Sequence, residues 1–386
     1  MWQASQRFFD TIVKSHTVVS KAEVLIDGEV AFTIHGIETV DPNTGARAGT
    51  VSATVQVRRS FVRRTASATI LDIDGLLTPS DAKDAFAVLR NEIRLYRGVQ
   101  FFDATPLEVA AGTHVEYVPI FTGPIGRARI RYPQIELECY DRLWDLRGRF
   151  PRTYQIATGL NVMDQLENLL RSILPSARQD IALPDTDFLT ALAVYDAQSD
   201  ISTAAQELAT ACGMVLYQDP MGQIKAMPEP IADPNTVVWT YQAGTNSTMG
   251  DIDHDIDGTQ AENAVLATNE VDGVAGPFSG YAEDSNPASL TYVGAVPRIV
   301  RFYSSPFLKS NAQCALAAST ILQRELGVAD TIVVPVFGNP AHESMDVVRV
   351  VSPRDHIDRI VIADEFDIST RAADTNQELA CRTQVI

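Results

Sequence analysis

Through the first 150 residues, hydrophobic side chains recur mainly at every second position. Val24 and Ile26 lead into Asp27-Gly28, after which Val30, Phe32 and Ile34 resume the alternation. An Asp-Gly pair between alternating runs predicts a tight hairpin, because a type I′ turn needs positive φ at both central residues. The period of two returns at Val51, Ala53, Val55 and Val57, and again at Ala66, Ala68 and Ile70. Val115–Phe121, Arg127–Tyr132 and Ile135–Cys139 extend it. One helix is expected within this half, over 81–89, with Ser80 as N-cap and Pro79 before it. At the start of the chain, Trp2, Phe9, Ile12 and Val13 share one face of a short amphipathic helix. That face either packs on its own domain or docks a partner protein.

Between residues 151 and 233 the period lengthens. Val162, Leu166, Leu169, Leu170 and Ile173 repeat at helical spacing, and Pro175 stops the run. A second helix is expected to open at Thr203-x-x-Gln206, a capping-box pattern, and to close at Cys212-Gly213. Met214–Gln218 and Gln223–Met227 then flank Asp219-Pro-Met-Gly222 as a hairpin. The Pro-rich stretch 228–234 reads as a linker. From 234 to 386 strands dominate again, at Ile332–Val336, Val347–Val351 and Ile360–Ile368. One helix interrupts them: Ser310-x-x-Gln313 is a capping box, and Gly327 sits where a left-handed C-terminal residue belongs. Segment 269–297, rich in Gly, Ser, Asn and Pro, is expected to be a long loop or insertion. The expected fold is thus β-rich α+β. Two β-barrel or sandwich domains, 1–150 and 234–386, each carry a helix, and a small α/β module at 151–233 separates them. The two outer segments match in element order, not residue by residue.

Composition narrows the function classes. The 386 residues carry 49 acidic and 31 basic side chains, a formal charge of −18. That balance disfavours a nucleic-acid groove or an anionic membrane surface, both of which need a basic patch. The charge is uneven, net +1 through Arg152 and −19 after it. No apolar run is long enough to span a bilayer, and no signal-peptide pattern opens the chain. Cys139, Cys212, Cys314 and Cys381 lie far apart without a CxxC, so neither a disulfide framework nor a zinc site is expected, and the chain reads as made in a cytosol.

Candidate chemistry is sparse. Asp253-x-Asp255-x-Asp257-Gly258 matches the opening of a calcium loop, but the position of the closing bidentate Glu is Ala264. Glu262 comes two residues early, and the segment reads as an acidic surface turn. His342-Glu-Ser-Met-Asp346 resembles a truncated zincin helix with Asp in place of the second His, set among strands that would not hold those side chains on one face. The His residues at 16, 35, 114, 254, 342 and 356 accompany no nucleophile motif, and neither GxSxG nor a phosphate loop is present. Arg58, Arg59, Arg63 and Arg64 either grip a partner's carboxylates or line a solvated sheet face. No catalytic, cofactor-binding or metal residue is expected.

The element order resembles the hub proteins at the tail tip of long-tailed bacteriophages, related in fold to the baseplate hubs of contractile phages and the spike hubs of injection systems. The local matches are Phe121-Thr-Gly-Pro-Ile-Gly126, Ile135-Glu-Leu-Glu-Cys-Tyr-Asp-Arg-Leu-Trp144 and the stretch from Ala204 to Gly222. Ser15-His16 and the Asp41–Arg47 loop are similar to minor tail proteins of actinobacterial phages. The resemblance implies a virion protein at the tail tip, acting in genome ejection as a homotrimer whose six barrels match a hexameric ring above and a threefold tip below. Implied partners are a distal tail protein or tail tube ring, a tape measure protein and tip fibre or spike proteins, with DNA only in transit and no membrane. Many such hubs continue into a peptidoglycan-cutting domain; with Ile386 as the last residue, lysin activity is not expected. The alternatives are a hexameric distal-tail or tube-like ring protein and a carbohydrate-active cell-wall enzyme with β-domains.

Overall fold

A computed structural model describes the chain except residues 15, 36–38, 41–46, 73–76, 78, 80, 82–83, 191, 245–246, 260, 272–273, 327–329, 372–375 and 384–386. Its centre is a 14-stranded sheet. The main path runs Asp253–Ile256, Asp330–Phe337, Asn376–Thr383, Ile357–Ser369, Arg47–Val57, Arg64–Asp72, Gln134–Tyr140, Val115–Arg131, Glu92–Gln100, Thr17–Ile26, Glu29–His35. Neighbours on this path pair antiparallel. The strands of the first and last segments meet where Phe366 faces Val57 and Ser369 faces Thr54. Side chains on Arg64–Asp72 alternate between buried and less buried, as the period-two pattern requires. The Asp27-Gly28 hairpin forms as expected, with φ of 51° and 88°.

Five α-helices of the described residues decorate the sheets. Helix α1, Gln6–Ile12, is capped by Ser5 and buries Phe8 and Ile12. Phe9 lies 5.5 Å from the Trp239 ring, so this helix packs on its own chain. Val13, expected on the buried face, is 44% exposed; Phe8 takes that place. Of the helix expected over 81–89, the Ser80 cap and residues 82–83 lie outside the described residues, and none of the described residues 84–90 is helical. The first segment carries α2, Pro106–Ala111, instead. Its signal is Thr105-Pro-Leu-Glu108, a reciprocal capping box whose hydrogen bonds hold the Glu108 carboxyl down to about 2.

Helices α3, Val162–Ile173, and α4, Ile201–Ala211, pack together in the middle segment. Helix α4 opens two residues before Thr203, after Asp200, and no side chain caps it, so the expected capping box does not exist. The buried face of Ile201, Ala204, Ala205 and Leu208 sets that start. The 228–234 stretch is not a free linker, because Glu229 is buried in it. Helix α5, Asn311–Glu325, begins at Ser310, whose hydroxyl accepts from the Gln313 N–H at 3.2 Å; Gly327 lies outside the described residues. Segment 269–297 is not one loop. Val274–Glu283 is a strand paired with Ala264–Val271, which pairs on its other side with Val300–Ser305. Helix α5 covers this sheet so closely that a Cβ at Gly280 would sit 2.1 Å from the Ala315 nitrogen. The glycine there marks backbone contact rather than a loop.

Candidate functional site

Two buried arginine junctions join the segments, and the motifs singled out in the sequence converge on the first. The 17-residue strand Val115–Arg131 pairs with Glu92–Gln100 along its first part and with Gln134–Tyr140 along its second. It changes partner at Gly123-Pro-Ile-Gly126. A Cβ at Gly123 would meet the Tyr140 carbonyl oxygen at 1.9 Å, so only glycine fits this corner. Tyr140 stacks on Trp144, with ring centroids 4.6 Å apart. Between them Asp141 accepts from the Leu143 N–H at 3.1 Å and starts a 3-10 turn over Arg142–Arg147.

That turn aims Arg142 inward. Its guanidinium, 4% exposed, makes a fork on Glu92 with bonds of 2.9 and 2.8 Å and donates to the Gly222 carbonyl at 2.8 Å. Arg178 approaches Glu92 at 3.7 Å, pairs with Asp145 at 2.6 Å and donates to the Leu89 and Arg90 carbonyls. The Asp219-Pro-Met-Gly222 turn is held by Asp219, which accepts from the N–H groups of Met221 and Gln223. Thr122 donates to the Pro220 carbonyl at 2.8 Å, and Gln218 donates to the Thr122 carbonyl at 2.7 Å. The middle hairpin is thereby clamped onto the strand corner. Each buried charge here faces opposite charge, and the spare donors of Arg142 and Arg178 end on carbonyls, which is the condition for burying ions without a large penalty.

The second junction holds the arginines that were expected to face solvent or a neighbour. Arg58 does lie partly exposed, paired with Asp367 at 2.6 Å. Arg63 and Arg64 are only 9% and 1% exposed, inside this same chain, which corrects that expectation. Arg64 donates its backbone N–H to Asp141 and its guanidinium to the Ile120 carbonyl, 3.0 and 3.1 Å away. Arg63 reaches only the Ser344 hydroxyl, at 3.3 Å; its Nε has no partner, and no carboxylate of the described residues pairs with it. Nearby, Arg382 binds Glu229 at 2.6 Å and Asp364 at 3.1 Å, and Arg324 binds Glu229 at 3.3 Å. Burial pushes the Glu229 carboxyl up, but Arg382 and Arg324 outweigh it and hold it below the usual value. Burial likewise lowers the Arg59 and Arg63 guanidinium values. A cavity of about 340 Å³ opens between Arg59, Arg63, Thr210, Met214 and Leu216.

The remaining sequence candidates do not gather into a site. Asp253–Ile256 is an edge strand that exposes Asp253 and Asp255, and Asp257 lies beyond it, accepting from the Thr259 N–H at 2.9 Å in a surface turn. His342 is sealed in the core, its ring nitrogens bonded to the Tyr241 hydroxyl at 2.7 Å and to Asp346 at 3.0 Å. Both nitrogens are occupied, and Asp346 opens a strand rather than a zincin helix. Among the described residues, no group of three His, Cys, Asp or Glu side chains is placed to hold a metal ion. No helix of the described residues is long and apolar enough to cross a membrane. Ser15 and 41–46 lie outside the described residues.

No protein-family model and no curated protein matches the sequence. Solved structures do match the fold. The tail protein from Neisseria meningitidis MC58 superposes with a TM-score of 0.62 at 11% identity, over 95% of this chain and 97% of that one. The 43 kDa tail protein of prophage MuSo2 from Shewanella oneidensis gives 0.56 at 11% identity, over 95% and 98%. Prophage tail protein gp18 from Listeria monocytogenes EGD-e gives 0.50 at 11% identity, over 95% and 94%. The β-rich architecture of this chain is thus similar, over 95% of its length, to the folds of these three tail proteins.

Proposed function

We propose that this chain is a structural protein of a phage tail tip, a baseplate-type hub that forms a homotrimeric ring around the DNA exit channel. The carrying observation is the near full-length likeness to three tail proteins. Residues 1–150 and 234–386 each supply one barrel and 151–233 lies between them, so three chains present six similar barrels. Such a ring matches a hexameric tail tube or distal tail ring on one side and a threefold fibre or spike on the other. Closing the ring also covers edge strands that an isolated chain leaves open. The role is structural rather than enzymatic: His342, the side chain closest to a catalytic pattern, is locked between Tyr241 and Asp346.

DNA in transit must slide past such a ring without sticking. Each phosphate contact from a basic wall would act as a brake, whereas an acidic or neutral wall repels the polyanion over roughly 8 Å at physiological salt. The excess of 19 negative charges after Arg152 supplies that wall, and Arg63 and Arg64 are buried within the chain rather than free to line a channel. A symmetry-resolved image of the assembled tail tests both points. Three copies with a net acidic or neutral lumen are expected. Six copies would favour the distal-ring reading, an arginine-lined pore would overturn the sliding channel, and hydrolysis of purified cell wall by the chain would overturn the structural role.

A further inference from the structure

We propose that the cavity at the second junction binds a carboxylate carried on a short apolar stem, with Arg63 as its counter-ion. Arg63 lines the cavity while nine-tenths buried, its Nε lacks a partner, its guanidinium donates one weak hydrogen bond to Ser344, and Glu229 and Asp364 act on it through space without a direct ion pair. A buried guanidinium left this way is costly, and a bidentate carboxylate is the group its fork fits best. The cavity's own acids are already engaged, Glu229 and Asp364 by Arg382 and Glu325 by Arg301 at 2.8 Å. They also set the ligand's charge, since Glu229 and Asp364 would repel a second negative charge and so disfavour a phosphate. The wall is mixed: Arg59, Arg324 and Thr210 share it with Phe61, Met214, Leu216 and Met345, and these four offer contact for a short hydrocarbon stem. A volume of about 340 Å³ suits one side chain or small acid. Exposed Ser60 and Gln206 line the cavity where it reaches solvent, giving a path of entry.

Two sources carry this chemistry, a free small acid and a glutamate side chain of a neighbouring chain. Isothermal titration of the full chain with butyrate, with N-acetylglutamate α-methylamide, with butyramide and with inorganic phosphate tests the site and separates the sources. Saturable binding of an acid but not of butyramide is expected, weakened by at least ~10-fold in Arg63→Met. Tighter binding of butyrate identifies a free acid, and tighter binding of the glutamate derivative identifies a side chain. Met214→Trp fills the cavity while leaving Arg63 in place and is expected to abolish binding; it decides the matter if Arg63→Met fails to fold. No binding of either acid, equal binding of butyramide, tighter binding of phosphate, or unchanged binding in the folded variants would overturn the proposal.

Discussion

The two arginine junctions bury similar numbers of charges and solve the problem differently. At the first, Arg142 and Arg178 surround Glu92, and the spare donors of both guanidiniums end on backbone carbonyls. At the second, Glu229 is shared by Arg382 and Arg324, while Arg63 next to them forms no direct ion pair among the described residues and feels Glu229 and Asp364 only through space. Burial alone therefore does not say whether an ion holds a fold together. The first junction closes electrostatically within the chain, and the second is left open for something outside it.

The largest effect should come from breaking the closed junction. Glu92→Ala leaves the Arg142 and Arg178 guanidiniums buried without their shared carboxylate, and removal of one partner from such a group typically costs ~3–5 kcal/mol. Thermal and denaturant unfolding should both show it. A loss under ~1 kcal/mol would mean water reaches the junction and screens it as at a surface. Next is Gly123→Ala, where the new methyl overlaps the Tyr140 carbonyl and forces the strand corner apart, at ~1–3 kcal/mol. Glu92 and Thr122 sit on the two sides of that corner, so the double variant with Glu92→Ala should be less destabilised than the sum.

Acid titration distinguishes the junctions in another way. The folded value of Glu229 is depressed below its ordinary 4.5, so the unfolded chain takes up this proton first. Its contribution is complete above pH ~4.5 and is lost as pH falls through the lower folded value. Glu229→Gln should therefore flatten the acid limb of the stability profile while costing stability at neutral pH. An unchanged acid limb would show that Arg382 and Arg324 do not hold the carboxylate in solution.

These contrasts also mark what the sequence made legible. The Asp27-Gly28 turn, the α3 repeat and the Ser310 cap rest on local rules, and all three are where those rules put them. The Val274–Glu283 strand was hidden because Gly276 and Gly280 read as loop residues, although Gly280 is required by the approach of α5. Thr105-x-x-Glu108 carried a helix signal of its own, a capping box with Pro106 at the first helical position, whereas the Ser80 cap expected over 81–89 had no such reciprocal partner. The junctions themselves could not be read. Arg142, Glu92 and Gly222 are far apart in the chain, and nothing local tells a buried arginine from a solvated one. The Phe121–Gly126 and Ile135–Trp144 stretches were the nearest signal, since both end at this junction.

A smaller effect is expected from Ser310→Ala. The hydroxyl caps α5 through the Gln313 N–H, and its loss should cost ~1 kcal/mol in thermal unfolding. Arg324 and Glu325 of the second junction lie at the far end of that helix, so the loss should be the same with Glu229 present or replaced by Gln. A loss that depends on residue 229 would mean the helix transmits strain to the junction.

The smallest effect is the most discriminating. In Arg63→Met a side chain of similar length loses a charge that no carboxylate pairs with directly, Glu229 and Asp364 offsetting its burial only in part, together with one long hydrogen bond to Ser344. Desolvation of that charge opposes folding, whereas a thioether stem gains from the apolar neighbours Met214 and Leu216. The two changes leave the ligand-free variant within ~1 kcal/mol of the natural chain, or more stable. Unfolding in buffer free of carboxylic acids measures this directly. A loss of several kcal/mol, matching Glu92→Ala, would show that Arg63 is compensated inside the chain after all, and the distinction between a closed and an open junction would fall.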